Sequence, residues 1–385
     1  MKPRLLILSA LPLATGGIEQ HLLFLLRAAH LQYRITLLSP ALPEFIERIR
    51  QFDVEVYPWS VRGYADMRAL WNLRTALRDI QPDLVHIHDA RAGFIGRLMI
   101  KLMGIPVAYT IHLPSYFYWR KGPFGMLINK FYAVMESLLN HLATDKVIYI
   151  GRLTYEDALK RKLVSSGKAV LIENGIDLQP FRIQDSRDVQ ILREAVDVPQ
   201  NVPVICSVAR LTVQKNPALL IRALACLKDR GIDARLWFVG DGPDRKSLED
   251  IASSLNLKDE ILFWGTRSDI PNLLAASDIF ALLSRYEGGR TLAVMEAQAA
   301  GKACLVTDVG DHRFMVENGT HGFVIPVDDL DSAVDGLSRI LSNSASITAL
   351  GNASRERAFS SYDVDLMTRR ILDVYENLLA GKRVN

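Results

Sequence analysis

The chain has 385 residues, 49% of them hydrophobic and 23% charged, with a formal net charge of +3. That length suits two domains better than one core, and the composition is that of a globular protein. No apolar run reaches the roughly 18 residues that mark a spanning helix.

The start, Met1-Lys2-Pro3-Arg4 and then Leu5-Leu6-Ile7-Leu8, looks like a short signal peptide. Its apolar stretch is too short for one and ends in a glycine-rich turn, so a first strand is expected over residues 4–9. Further apolar runs predict strands at 35–39, 54–57, 84–88, 107–112, 146–150 and 170–172. Amphipathic stretches at 18–29, 67–80, 93–103, 124–143 and 154–163 predict the helices between them. A polar stretch from 177 to 201, holding Pro180 and Pro199, reads as the crossing between domains. The alternation then resumes. Strands are expected at 204–208, 235–239, 261–263, 279–283, 303–307 and 323–325, and helices near 217–230, 244–255, 270–276 and 292–300. Residues 330–379 read as helical throughout.

Such alternation predicts an α/β protein with two doubly wound, parallel-sheet, Rossmann-like domains facing a cleft. The expected bounds are 1–180, 181–361 and a terminal helix within 362–385. Open parallel sheets bind ligands beyond the carboxyl ends of their strands. Residues 1–180 hold 22 Lys and Arg against 15 Asp and Glu, while the remainder holds 24 against 28. A basic first half could face phosphate or an anionic membrane, or be an ordinary solvated surface. Cys206, Cys226 and Cys304 stand singly within apolar patterns, which disfavours disulfides and a cysteine zinc site and fits a reducing cytoplasm.

Several strand ends carry chemistry. Thr15-Gly16-Gly17-Ile18-Glu19 opens the first helix, where glycines let backbone N–H groups approach an anion; a simple tight turn explains the pair as well. The dinucleotide pattern GxGxxG is absent, which disfavours a nicotinamide enzyme. Arg210 and Lys215 follow a strand end and would neutralise a diphosphate without a metal ion, unless they are ordinary loop cations. Glu287-Gly288-Gly289-Arg290-Thr291 precedes a helix expected to start near Leu292. Backbone groups of Arg290, Thr291, Leu292 and Ala293 would point at phosphate or sugar, and Glu296 at ribose hydroxyls. The alternative is an acidic loop and a glutamate favoured by the helix dipole.

His112 ends a strand, where it could donate to a sugar or serve structure alone. His86 and His88 share a strand face, but no third metal ligand is evident in the sequence. The segment from Tyr116 to Phe124 mixes rings and cations and could rest at a membrane interface, form a lid or simply pack. The basic residues form no extended stripe, so nucleic acid is disfavoured.

Together these motifs resemble the retaining glycosyltransferases of family 4, the group 1 glycosyl transferases with the GT-B fold. The resemblance runs from Gly16-Gly17-Ile18-Glu19 through His88, His112 and Glu173-Asn174-Gly175-Ile176-Asp177. It continues with Ala209-Arg210-Leu211, Lys215-Asn216, Val239-Gly240-Asp241-Gly242-Pro243, Phe263-Trp264-Gly265, Glu287 to Gly301 and Asp308-Val309-Gly310. It implies that Arg210 and Lys215 grip the donor diphosphate, Glu296 the ribose, and Glu287 and His112 the transferred sugar. Backbone groups of Gly17 and of Arg290 to Ala293 would contact phosphate or sugar. It also implies that the last helix crosses back onto the first domain. Two departures stand out. Eight residues separate Glu287 from Glu296 where the family has seven, and Asp311-His312-Arg313-Phe314 replaces a stretch that often carries an acidic residue.

The expected activity is transfer of a sugar from a UDP- or GDP-sugar to a glycan or lipid-linked acceptor, with retention and without a metal or other cofactor. The implied setting is cell-surface polysaccharide, glycolipid or lipopolysaccharide biosynthesis. The expected location is cytoplasmic, with peripheral membrane contact. An epimerase acting on nucleotide sugars and a non-catalytic nucleotide-sugar-binding partner are the alternatives.

Overall fold

The computed structural model describes residues 2–384 except 14–15, 64, 115–121, 183–185, 197 and 200. Contacts divide it into two compact units. One comprises Met1–Asn174 with Val364–Asn385, the other Gly175–Asp363.

The first unit alternates β1 (Arg4–Leu8), α1 (Gly17–Ala29), β2 (Arg34–Leu38), α2 (Pro43–Ile49), β3 (Glu55–Tyr57), α3 (Met67–Ile80) and β4 (Leu84–Ile87). It continues with α4 (Ala90–Leu102), β5 (Val107–Ile111), α5 (Gly122–Leu142), β6 (Lys146–Tyr149), α6 (Arg152–Lys160) and β7 (Ala169–Leu171). The seven strands are parallel in the order β3-β2-β1-β4-β5-β6-β7. Central strands are apolar because both faces are covered; Leu5, Leu6, Ile7 and Leu8 are all buried. Helices α3 to α6 cover one face. Side-chain caps fix where two of them begin. Asp66 accepts from the Ala69 N–H, and Asp89 from those of Arg91 and Ala92, all at 3.0 Å.

The second unit contains α7 (Ser186–Glu194), β8 (Val204–Val208), α8 (Pro217–Asp229), β9 (Arg235–Val239), α9 (Arg245–Ser254), β10 (Ile261–Gly265), α10 (Ile270–Ala275) and β11 (Ile279–Leu282). Then come α11 (Leu292–Ala299), β12 (Ala303–Thr307), α12 (His312–Met315), β13 (Gly322–Ile325), α13 (Leu330–Leu341) and α14 (Ser344–Ser361). Its six strands are parallel in the order β10-β9-β8-β11-β12-β13. Apolar clusters fill both faces of the sheet.

The final helix, α15 (Val364–Val384), belongs to the first unit. Its Met367, Ile371 and Tyr375 pack with α1 and α2 residues on the face opposite α3 to α6. Contacts place the division at Asn174/Gly175 rather than at 180/181, because Ile176 and Leu178 join the core of the second unit. Residues 330–379 are indeed helical, but in three pieces, broken at Asn343 and Asp363. The polar stretch expected to be a bare crossing contains α7. Arg193 anchors that helix to Asp278 at 3.1 Å and to three backbone carbonyls. The three cysteines are free, two of them buried in strands. Among the described residues no helix is long and apolar enough to cross a membrane.

Candidate active site

In each sheet the connections reverse direction once, between β1 and β4 in the first unit and between β8 and β11 in the second. At such a switch point the chain leaving the two neighbouring strands splays apart and opens a crevice. The sequence-predicted residues of the second unit follow β8 and β11.

Two segments meet there, 209–216 after β8 and 283–291 after β11. The Arg285 N–H donates to Gln214 O at 2.8 Å, and the Gln214 side chain donates to Tyr286 O at 3.0 Å. The loop after β9 presses against the first segment. A Cβ at Gly240, where φ is 134°, would lie 2.1 Å from Ala209 O, so only glycine fits. The loop after β12 presses against the second. Gly310, at φ 52°, brings its Cβ direction to 2.9 Å from the Glu287 Cβ.

Between these supports Lys215 Nζ donates to Glu287 Oε1 at 2.6 Å. Glu287 is buried; burial alone would raise its pKa, but Lys215 and His312 outweigh it and leave the carboxyl below its usual range. The one-residue excess between the two glutamates therefore does not detach Glu287 from the cation expected to serve the diphosphate. Arg210 lies nearby in sequence, exposed, with no hydrogen bond or ion pair to the described residues.

Helix α11 starts beside this pair. Thr291 is its N-cap, with extended backbone, but its side chain does not cap the helix. Its hydroxyl donates instead to His312 Nε2 at 2.9 Å, because the His312 Nδ1–H is committed to Thr307 O at 2.9 Å. Burial holds this imidazole below its ordinary pKa. The N–H groups of Leu292 and Ala293 consequently reach no described acceptor. On α11 only Leu292, Ala293 and Glu296 are less than fully buried, so the carboxyl of Glu296 shares the open face with those free donors. The Glu296 carboxyl has no hydrogen bond or ion pair among the described residues, and burial pushes it up to about 7. Arg290 differs from the rest. Its guanidinium turns to Ser361 O at 3.3 Å and to the Tyr362 ring, so only its backbone faces the helix end.

The first unit is furnished otherwise. Gly17 begins α1, whose first-turn N–H groups have no helical acceptors; Thr15 lies outside the described residues. Around the ends of β4 and β5 stand His21, His86, His88 and His112. His86 is held by Tyr375 Oη and Thr110 Oγ1. His88 Nδ1 lies 3.2 Å from His112 Nε2, and His21 Nδ1 lies 3.0 Å from Asn174 Oδ1. Burial drives all four imidazoles well below their ordinary pKa, His21 to about 4, so they are neutral at pH 7. The third histidine missing from the sequence reading is thus His21, one turn beyond Gly17 on α1. Its ligand-capable nitrogen lies within 4.8 Å of those of His88 and His112. A zinc ion would have to draw the three to about 3.4 Å.

Anion-binding donors, a paired cation and an unpartnered carboxyl at one strand edge suit a diphosphate joined to a hydroxyl-bearing group. Comparison with known proteins places the chain in a family. The family model described as glycosyltransferase family 4 matches residues 15–180, and that of the glycosyl transferases group 1 matches residues 188–357. An Escherichia coli relative, the UDP-Gal:alpha-D-GlcNAc-diphosphoundecaprenol alpha-1,3-galactosyltransferase, is 28% identical over 87% of this chain and 86% of its own length. The putative glycosyltransferase EpsF of Bacillus subtilis is 30% identical over 62% of this chain and 60% of its own. Among solved structures, HepE of Anabaena in complex with UDP-glucose superposes with a TM-score of 0.83. It covers 97% of this chain and 99% of its own at 20% identity, and shares the fold. The chain belongs to the family 4 glycosyltransferases, of the group 1 type, and has the GT-B fold.

Proposed function

We propose that this glycosyltransferase takes its sugar from a UDP-sugar and delivers it, with retention at the anomeric carbon, to a lipid-linked diphosphate-sugar acceptor. The observation that carries the reading is the second unit's switch point. There the Lys215–Glu287 pair adjoins two free N–H groups and the unpartnered Glu296. The undecaprenol-linked acceptor named for the Escherichia coli relative supports the acceptor class, and the UDP-glucose held by the Anabaena protein supports the nucleotide. A GDP-sugar is the other donor that the same contacts would accept.

In this reading the anomeric C–O bond to the diphosphate breaks as negative charge builds on the leaving oxygen. Lys215, Arg210 and the N–H groups of Leu292 and Ala293 stabilise that charge, so no metal ion is required. The acceptor hydroxyl bonds to the anomeric carbon on the same face, and its proton passes to the departing phosphate oxygen. Glu296 takes the ribose hydroxyls, Glu287 the sugar hydroxyls once Lys215 turns to the diphosphate, and His112 a sugar hydroxyl. The test is transfer from UDP-sugars to a polyprenyl-diphosphate-linked sugar in EDTA, with the new linkage read by NMR. An α-linkage made from an α-configured donor is expected. Inversion, a metal requirement, or epimerisation of the donor alone would overturn the reading.

A further inference from the structure

One face of the first unit is unusually apolar. Helices α3, α4 and α5 lie side by side over the same sheet face. On α5 the residues Phe124, Leu127, Phe131, Val134, Leu138 and Leu142 recur every three or four positions, and all are exposed, Phe124 at 75%. Buried helices keep such a stripe inward; here a stripe about 27 Å long faces outward. The neighbours continue it. Met67 and Trp71 stand exposed on the outer stripe of α3, and Leu98 and Leu102 on that of α4.

The charges on the same helices are one-sided. Arg74 and Arg78 extend the Met67–Trp71 stripe at helical spacing, Arg91 extends that of Leu98 and Leu102, and Lys130 flanks the stripe of α5. All four are exposed and have no ion pair among the described residues. Of the two carboxylates on these helices, Glu136 is buried against Arg97 and only Asp79 is exposed.

We propose that this face docks on an anionic lipid bilayer, with α5 lying in the headgroup plane and its apolar stripe entering the acyl boundary. The balance of charge selects this occupant. Apolar stripes edged by unpaired cations match a surface that is apolar beneath and anionic above. A second copy of the chain would set these cations against the same cations across a two-fold axis. The proposal deepens the reading of a lipid-linked acceptor by naming the surface that would bring the enzyme to it, and its test is independent of catalysis.

The experiment is co-sedimentation of the full chain with phosphatidylcholine vesicles, with and without 30% phosphatidylglycerol, at 50 and 500 mM NaCl. Strong partitioning to the anionic vesicles at low salt is expected, falling at least tenfold without the anionic lipid. Leu127→Glu with Phe131→Glu should lower partitioning at least tenfold. Arg74→Glu with Arg78→Glu should remove most of the salt sensitivity, with a loss of about fivefold per cation. All four side chains point outward, so each variant should keep the wild-type melting temperature and its shift on adding UDP. Retained UDP response with lost vesicle binding separates this surface from the donor site. Wild-type protein left in the supernatant at low salt, or variants that partition like wild type, would overturn the proposal. So would light scattering that shows a dimer broken by the α5 variant without vesicle binding.

Discussion

The two switch points occupy the same place in two similarly wound sheets, yet they are built from opposite chemistry. That of the second unit holds a partly buried ion pair, free helix-end donors and a carboxyl without a partner. That of the first holds four imidazoles kept neutral by burial. Placement at a switch point follows from topology alone, while the choice of ligand follows from which side chains are desolvated there and whether they retain charge. On the proposed reading the second unit takes a charged diphosphate. The first offers uncharged hydrogen-bonding rings, fitted to a sugar hydroxyl or to orienting one another.

The largest break in this comparison should come from Lys215→Ala. Transfer is expected to fall about a thousandfold, as for loss of a group that stabilises developing charge. Stability should also fall, by about 3 kcal/mol, because Glu287 is left buried and unpaired. Steady-state kinetics and chemical denaturation separate the two effects. The double variant Lys215→Ala with Glu287→Gln should recover most of the stability and none of the activity.

Glu296 gives the next effect. Glu296→Ala should weaken donor binding by about tenfold to a hundredfold, with Glu296→Gln milder, as seen by calorimetric titration. The carboxyl also has a pH signature in the free enzyme. Its folded pKa, near 7, exceeds the ordinary value, so the folded state keeps a proton that the unfolded state loses as pH rises from 4.5. Stability should therefore decline across pH 4.5 to 7, and the Gln variant should lack that decline.

The histidines predict the reverse trend. His21 is depressed to about 4, so below pH 6.5 the unfolded chain binds protons that the folded unit does not. The first unit should lose stability as pH falls from 6.5 towards 4, and hydrogen exchange at pH 5 should show its β4 and β5 opening before β8 and β11. The smallest effect is expected for His312→Ala. Freed from Nε2, the Thr291 hydroxyl can turn back to cap α11, competing with phosphate for its N–H groups. The donor KM should rise about fivefold to tenfold with little change in kcat, and Thr291→Val should abolish that sensitivity.

Much of the fold was legible because parallel strands buried on both faces read as apolar runs; Leu5 to Leu8 and Ala303 to Thr307 are examples. Helix α7 was not, since its charged segment draws its stability from Arg193 reaching Asp278, a partner far along the chain. The division of units was displaced because Ile176 and Leu178 look local but pack with the second core. In the site, Lys215, Glu287 and Glu296 could be picked out as charges at strand and helix ends. His21, the His312–Thr291 bond and the turning of Arg290 to Ser361 could not, as each depends on a partner brought in by tertiary folding.

The central claim is that the second unit's switch point recognises a diphosphate through Lys215. The most direct test is calorimetric titration of wild type and Lys215→Ala with UDP and UMP in EDTA. Wild type should prefer UDP at least tenfold, and the variant should lose most of that preference while binding UMP much as before. An undiminished preference for UDP in the variant would contradict the account.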